Sequence, residues 1–156
     1  MFRQCVMGII CVLFSITSLK ASDTSDIMKD VYTAFNIRTQ SPDSALNISY
    51  RVRAESLEMG YTRGVGYGAQ RIGSIYLNQG KNDSAIKYLR EAYQIRQDLN
   101  DYKAAAGSAV LLSSAYSNVG MNDSAMDVLI GGTIHAEKSN DTAQIISTYV
   151  ELALLN

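Results

Sequence analysis

Tryptophan is absent, and proline and histidine occur once each among 156 residues. One proline beside 11 glycines excludes a collagen-like or linker-rich chain. Ten tyrosines among frequent alanines and serines point instead to closely packed helices. An excess of either charge is also missing, since 14 basic and 15 acidic residues leave a net charge of −1. That removes the electrostatic reason to expect a nucleic-acid partner. What remains, 47% apolar and 19% charged residues, is enough for the core of one modest domain.

Long apolar runs are absent too, except between Cys5 and Leu19. Arg3 precedes this run, and Lys20-Ala21 and the polar stretch from Ser22 to Asp26 follow it. The layout is that of a signal peptide, because about 15 residues at 1.5 Å each fall short of about 30 Å of hydrocarbon. Cleavage after Ala21 is expected, dividing the chain into a signal at 1–21 and a helical domain at 22–156. The expected destination is a bacterial periplasm, with no membrane contact after cleavage. The alternative is a product anchored by an uncleaved amino-terminal segment. Cys5 and Cys11 both lie in the signal, so the mature chain carries no thiol. Ile10 does not fit the small residue that precedes a lipidated cysteine. Loss of Arg3 and Lys20 leaves 12 bases against 15 acids, a mildly acidic product.

The rest of the chain repeats. Asp43-Ser44-Ala45-Leu46, Asp83-Ser84-Ala85-Ile86 and Asp123-Ser124-Ala125-Met126 stand forty residues apart. The same register aligns Gly60 with Asn100 and Asn140, and Gly80 with Gly120. Glycine and asparagine tolerate the left-handed conformation that ends helices, so each period holds two helix stops. Between the stops the apolar spacing is helical, as in Ile72, Ile75, Tyr76 and in Ala85, Leu89, Ala92, Tyr93. Seven helices are expected, at roughly 25–39, 43–59, 62–79, 83–99, 102–119, 123–138 and 141–156. The Asp-Ser pairs fall just after turns such as Gly80-Lys81-Asn82, where Asp suits the positive helix end and Asn or Ser can cap free amides.

Ile72-Gly73, Tyr76, Gly80, Ala85, Leu89 and Ala92 stand at the spacing of the tetratricopeptide repeat, and Leu112-Ser113, Tyr116, Gly120, Ala125, Leu129 and Gly132 follow in the next period. Over essentially the whole mature chain the sequence resembles that family, in the forty-residue, long-helix form seen in many bacterial regulators. The opening repeat departs from the pattern at Asn36, Gln40 and Ser49. The resemblance implies an all-α superhelix of antiparallel helix pairs, about three and a half repeats long, in which Gly73, Ala85 and Ala92 let helices approach. It also implies that the first helix of each pair lines a partner groove. Tyr67, Gln70, Ser74 and Asn78 would come from the third helix, and Val110, Ser114, Ser117 and Asn118 from the fifth. The expected function is a non-enzymatic scaffold that binds a protein or peptide. The lysine and asparagine clamp of some family members is missing, since Ser74 and Ser114 replace asparagine.

Other motifs reduce to structure. Gly64-Val65-Gly66-Tyr67-Gly68 resembles a phosphate loop, but no strand precedes it and its counterparts Ala104 to Ser108 show that this helix start needs small side chains. His135 has no cysteine or clustered carboxylates for a metal, and is read as a partly exposed residue of the sixth helix. Tyr76, Tyr88, Tyr93 and Tyr116 are read as interface packing. No nucleophile, base and orienting group can be assembled, so no enzyme activity and no cofactor are expected.

The seventh helix has no following mate. Val150, Leu152, Leu154 and Leu155 on it are expected to form an association surface, docking on another copy or on a continuation of the chain. The alternative function is a truncated periplasmic sensory region of a signalling regulator, a histidine kinase or a DNA-binding protein, whose membrane helix and output domain are missing.

Overall fold

The computed structural model describes residues 24–155. The expected signal at 1–21, with Cys5 and Cys11, lies outside the described residues, as does Asn156. Seven helices make up the described chain: α1 (Thr24–Ile37), α2 (Pro42–Glu58), α3 (Thr62–Asn78), α4 (Asn82–Asp98), α5 (Tyr102–Asn118), α6 (Asn122–Ser139) and α7 (Thr142–Leu155). Each expected helix is present, with its ends displaced by a residue or two.

The helix stops are the ones the repeat indicates. Among the described residues, positive φ occurs at Gly60 (67°), Gly80 (70°), Asn100 (53°), Gly120 (77°) and Asn140 (53°). Beyond each of the first four, the next amide reaches back to a carbonyl five residues earlier: Tyr61 to Ser56 at 2.8 Å, Lys81 to Tyr76 at 2.9 Å, Asp101 to Arg96 at 2.9 Å and Met121 to Tyr116 at 3.0 Å. This closure satisfies carbonyls that a helix end leaves free.

The capping expectation needs correction. α2, α4 and α6 start one residue earlier than expected, at Pro42, Asn82 and Asn122, and their cap positions Ser41, Lys81 and Met121 make no side-chain cap bond. Asp43, Asp83 and Asp123 do fall inside the first turn, where a carboxylate favours the positive helix end as expected. True aspartate caps occur before α5 and α7. Asp101 accepts from the Ala104 amide at 3.4 Å, and Asp141 from the Gln144 amide at 3.0 Å.

Consecutive helices pack side by side along the chain. Ala85, Ala92 and Ala125 are fully buried at the crossings, around the buried Ile72, Ile75, Leu89, Leu112 and Leu129. Each large side chain removed from water in this way contributes about 1.5–3 kcal/mol. A Cβ at Gly73 would lie 2.6 Å from Leu89 Cγ, which is why this crossing takes glycine. At Gly68 the neighbour yields less, since its Cβ would meet the Arg53 backbone nitrogen at 2.9 Å. Ser49, a departure from the repeat pattern, is buried and donates to the Ala45 carbonyl at 2.7 Å, so α2 accommodates it without an orphaned hydroxyl.

The direction of curvature follows from which helices meet across repeats. Backbones of the odd-numbered helices approach each other in succession, α1 to α3, α3 to α5 and α5 to α7, while those of α2, α4 and α6 do not. The even-numbered helices are joined by long side chains instead. Arg53 Nη2 reaches Glu91 at 2.7 Å, Tyr50 donates to Tyr88 at 3.2 Å, and Gln97 meets His135 at 3.1 Å, each link spanning 38 residues. The solenoid therefore closes on its odd-numbered side, which is its inner face.

Candidate peptide-binding groove

The inner face presents α3 and α5 at its centre. Neither helix contains an aspartate or glutamate, whereas α2, α4 and α6 on the outer side carry Asp43, Glu55, Glu58, Asp83, Glu91, Asp98, Asp123, Asp127 and Glu137. Carboxylates are thus absent from the two central inner helices and numerous on the outer ones.

The eight expected groove residues lie on these two helices, and all are at least partly open to solvent. Asn78 and Asn118 are exposed at the helix ends, while Tyr67, Gln70, Ser74, Val110, Ser114 and Ser117 are half-buried. Several are already engaged. Ser74 Oγ donates to the Arg71 carbonyl at 3.1 Å and Ser114 Oγ to the Val110 carbonyl at 3.0 Å, which leaves each hydroxyl its acceptor lone pairs. Asn118 donates to Asn82 at 3.3 Å. Ser117 Oγ is buried without a partner.

Gln70 and Tyr67 hold a residue that sequence reasoning missed. Arg96 of α4 is only 3% exposed, donates from Nη2 to Gln70 Oε1 at 2.7 Å, and lies with its guanidinium carbon 4.9 Å from the Tyr67 ring centre. Burial lowers its pKa from the ordinary value. Next to it, Arg71 of α3 lies 4.5 Å from the ring centre of Phe35 on α1, and Arg38 lies 3.8 Å from the same ring. Arg38 Nη1 also donates to the Phe35 carbonyl. Burial, with Arg38 and Arg96 adding like charge, pushes Arg71 down to about 10. The one available sequence signal was an arginine on a helix with no acid three or four residues away.

Away from the groove, the remaining candidates are structural. Tyr50, Tyr76 and Tyr88 meet through their hydroxyls at 2.9 and 3.2 Å and bind α2, α3 and α4 together. Burial and the two neighbouring phenols raise the Tyr50 pKa above its usual value. Tyr116 is buried and accepts from Arg90 Nη2 at 2.6 Å. His135 is half-buried, stacked on Tyr102 at 5.9 Å and edge-on to Tyr93 at 5.9 Å. Gly64 to Gly68 run inside α3, packed rather than looped. Among the described residues no group of three His, Cys, Asp or Glu side chains is placed to hold a metal.

On α7 the apolar residues separate. Val150 and Leu154 are exposed, Leu154 to 75%, together with Ile146 and Tyr149. Leu152 and Leu155 are half-buried, and Leu155 packs against the core around Leu112 and Ala125.

Antiparallel helix pairs with small residues at their crossings, stacked about an inner face, define a helical-repeat fold. The family model described as Tetratricopeptide repeat matches residues 69–99, the second half of α3 with α4. The same pair of helices, turns and crossings recurs on either side of it, so the matched tetratricopeptide repeat stands within a run of like helix pairs. No curated protein matches the chain. Repeats of this class mediate protein–protein interaction.

Proposed function

We propose that the protein is an exported, non-enzymatic scaffold that binds an extended peptide or protein segment along α3 and α5. The carboxylate-free helices α3 and α5, which end in the amides of Asn78 and Asn118, support this reading. Hydroxyls and amides there can satisfy a peptide backbone, and the absence of fixed acids leaves acidic segments unrepelled. Export to a bacterial periplasm rests on Arg3, the apolar run to Leu19 and Ala21.

A photo-crosslinking residue at Asn78 or Asn118 in the native cell should yield an adduct that the same residue at Lys87 on α4 does not. Equal yields from both faces would refute the groove. Mass measurement of the protein from the cell envelope should show loss of 1–21, and an intact amino terminus on a membrane-bound product would favour the anchored alternative. The sensory-region reading uses the same groove. An in-frame membrane segment and output domain beyond codon 156 in the genomic DNA would favour it.

The exposed apolar side of α7 favours a second contact. Ile146, Tyr149, Val150 and Leu154 form a patch suited to self-association, since leaving such side chains in water forgoes about 1.5–3 kcal/mol each.

A further inference from the structure

We propose that the junction of α1 and α3 is a carboxylate-binding anchor for the peptide, with Arg71 and Arg38 as donors above the Phe35 ring. The proposal rests on the groove reading and deepens it by naming the ligand chemistry.

The two guanidinium groups share one aromatic ring, 3.8 and 4.5 Å from its centre, and Arg96 stands behind them. Asp101 lies close enough to Arg96 to favour its charge, but among the described residues no carboxylate pairs with Arg71 or Arg38. Asp30 on α1 is taken by Arg51 at 2.6 Å, and Asp101 by Arg63 at 3.2 Å. Asp26 sits twelve residues before Arg38, about 18 Å along a helix. Among the described residues the Arg71 guanidinium makes no hydrogen bond or ion pair, and its Nε is buried without a partner.

These arginines also break the repeat. The positions forty residues either side of Arg71 hold Val31 and Leu111, and those either side of Arg96 hold the buried Ser56 and Ala136. Sites that are apolar or small in the neighbouring repeats carry positive charge here, half-buried at Arg71 and buried at Arg96. Packing does not demand that choice, and an isolated buried cation weakens a fold. A ligand carboxylate accounts for it, because a guanidinium fork matches its two oxygens.

The surroundings suit a peptide rather than a bare ion. Arg71, Ile75 and Asn78 form one stripe on α3, and Arg38, Ile75 and Asn78 line an open cleft of about 510 Å³ with Thr39, Pro42 and Gln79. Gln79 Oε1 is buried without a partner. A residue beside the bound carboxylate enters this cleft and meets the Asn78 amide.

The test is a titration of the purified full chain, followed through its arginine Nε–H signals in nitrogen-15 NMR spectra. Acetyl-Leu-Glu-Leu-amide carries a side-chain carboxylate, acetyl-Leu-Gln-Leu a terminal one, and acetyl-Leu-Gln-Leu-amide none. Saturable shifts of Arg71 and Arg38 with either of the first two, and none with the third, support the anchor and identify which carboxylate it takes. Arg71→Gln should weaken that binding at least tenfold, while Arg51→Gln leaves it unchanged. Arg38→Gln serves if the first variant does not fold. An equal response to the neutral peptide overturns the anchor and leaves the groove standing. No response to any peptide, or a response to inorganic phosphate alone, overturns the anchor, and crosslinking at Asn78 then decides the groove independently. Thermal melting separates binding from structure: Arg71→Met should hold or raise the midpoint, and a fall of several degrees would make Arg71 a structural residue and end the proposal.

Discussion

Arg53 and Glu91 stand 38 residues apart and close a two-bond ion pair between α2 and α4, with Nη2 2.7 Å and Nε 3.1 Å from Oε1. The pair spans a gap between repeats where the helix backbones do not meet, and both side chains are more than two-thirds buried. A fork-shaped, partly desolvated contact lies at the upper end of what surface pairs contribute. A double-mutant cycle with Arg53→Ala and Glu91→Ala, read by urea unfolding, should give a coupling of about 1 kcal/mol. Coupling indistinguishable from zero would mean that the even-numbered helices are held apart by packing alone.

Gly68 and Gly107 should respond to alanine with opposite signs. At Gly68 the new Cβ would meet Arg53 backbone atoms at 2.9 and 3.0 Å, which a rotamer change cannot relieve. The clash costs about 1–3 kcal/mol against about 1 kcal/mol gained in helix propensity. At Gly107 the Cβ would meet only Gln144 Oε1 at 3.7 Å, so the gain of about 1 kcal/mol stands. Thermal denaturation of the two variants checks both signs, and a stabilised Gly68→Ala would show that α2 and α3 pack less closely than described.

Stability should decline on the acid side of neutrality through His135. Burial, with Lys138 adding like charge, lowers its pKa below 6.5. The unfolded chain then binds a proton that the folded ring refuses, so this contribution is full above about pH 6.5 and is lost as pH falls toward the folded value. With the Gln97 amide donating to Nε2, the ring proton sits on Nδ1, which is buried without a partner. His135→Gln should flatten the urea midpoint between about pH 6.5 and 5.5. An unaltered slope would assign the effect to other groups.

For self-association the informative positions are Val150 and Leu154. Both are exposed, so Val150→Lys with Leu154→Lys should lower association in sedimentation without changing the thermal midpoint by more than a degree or two. Leu155→Lys places a charge against the core and should destabilise by about 2–4 kcal/mol instead. A strictly monomeric parent protein at high concentration would remove α7 as an association surface.

The features legible in the sequence are those a residue decides with its near neighbours. Gly60, Gly80, Asn100, Gly120 and Asn140 each mark a helix end through their own φ, and the three- and four-residue spacing of Ile72, Ile75 and Tyr76 marks a helix face. Repetition every forty residues then disclosed the pairing, because each copy must bury the same small residues, Ala85 and Ala125 among them. The Asp-Ser pairs misled because a first-turn position and a cap position differ by one residue, and only backbone geometry separates them.

The arginine cluster was out of reach for the opposite reason. Phe35, Arg71 and Arg96 belong to three helices, and neither arginine has a counterpart of its kind in the neighbouring repeats. Periodicity reports what repeats have in common, so it is silent about the positions where one repeat differs. The sequence by itself determined the helices, their stops and the repeat. Tertiary structure alone decided that the odd-numbered helices form the inner face and that Arg38 and Arg71 meet over Phe35 at its first junction, because contacts between residues far apart in the chain exist only once the helices have packed.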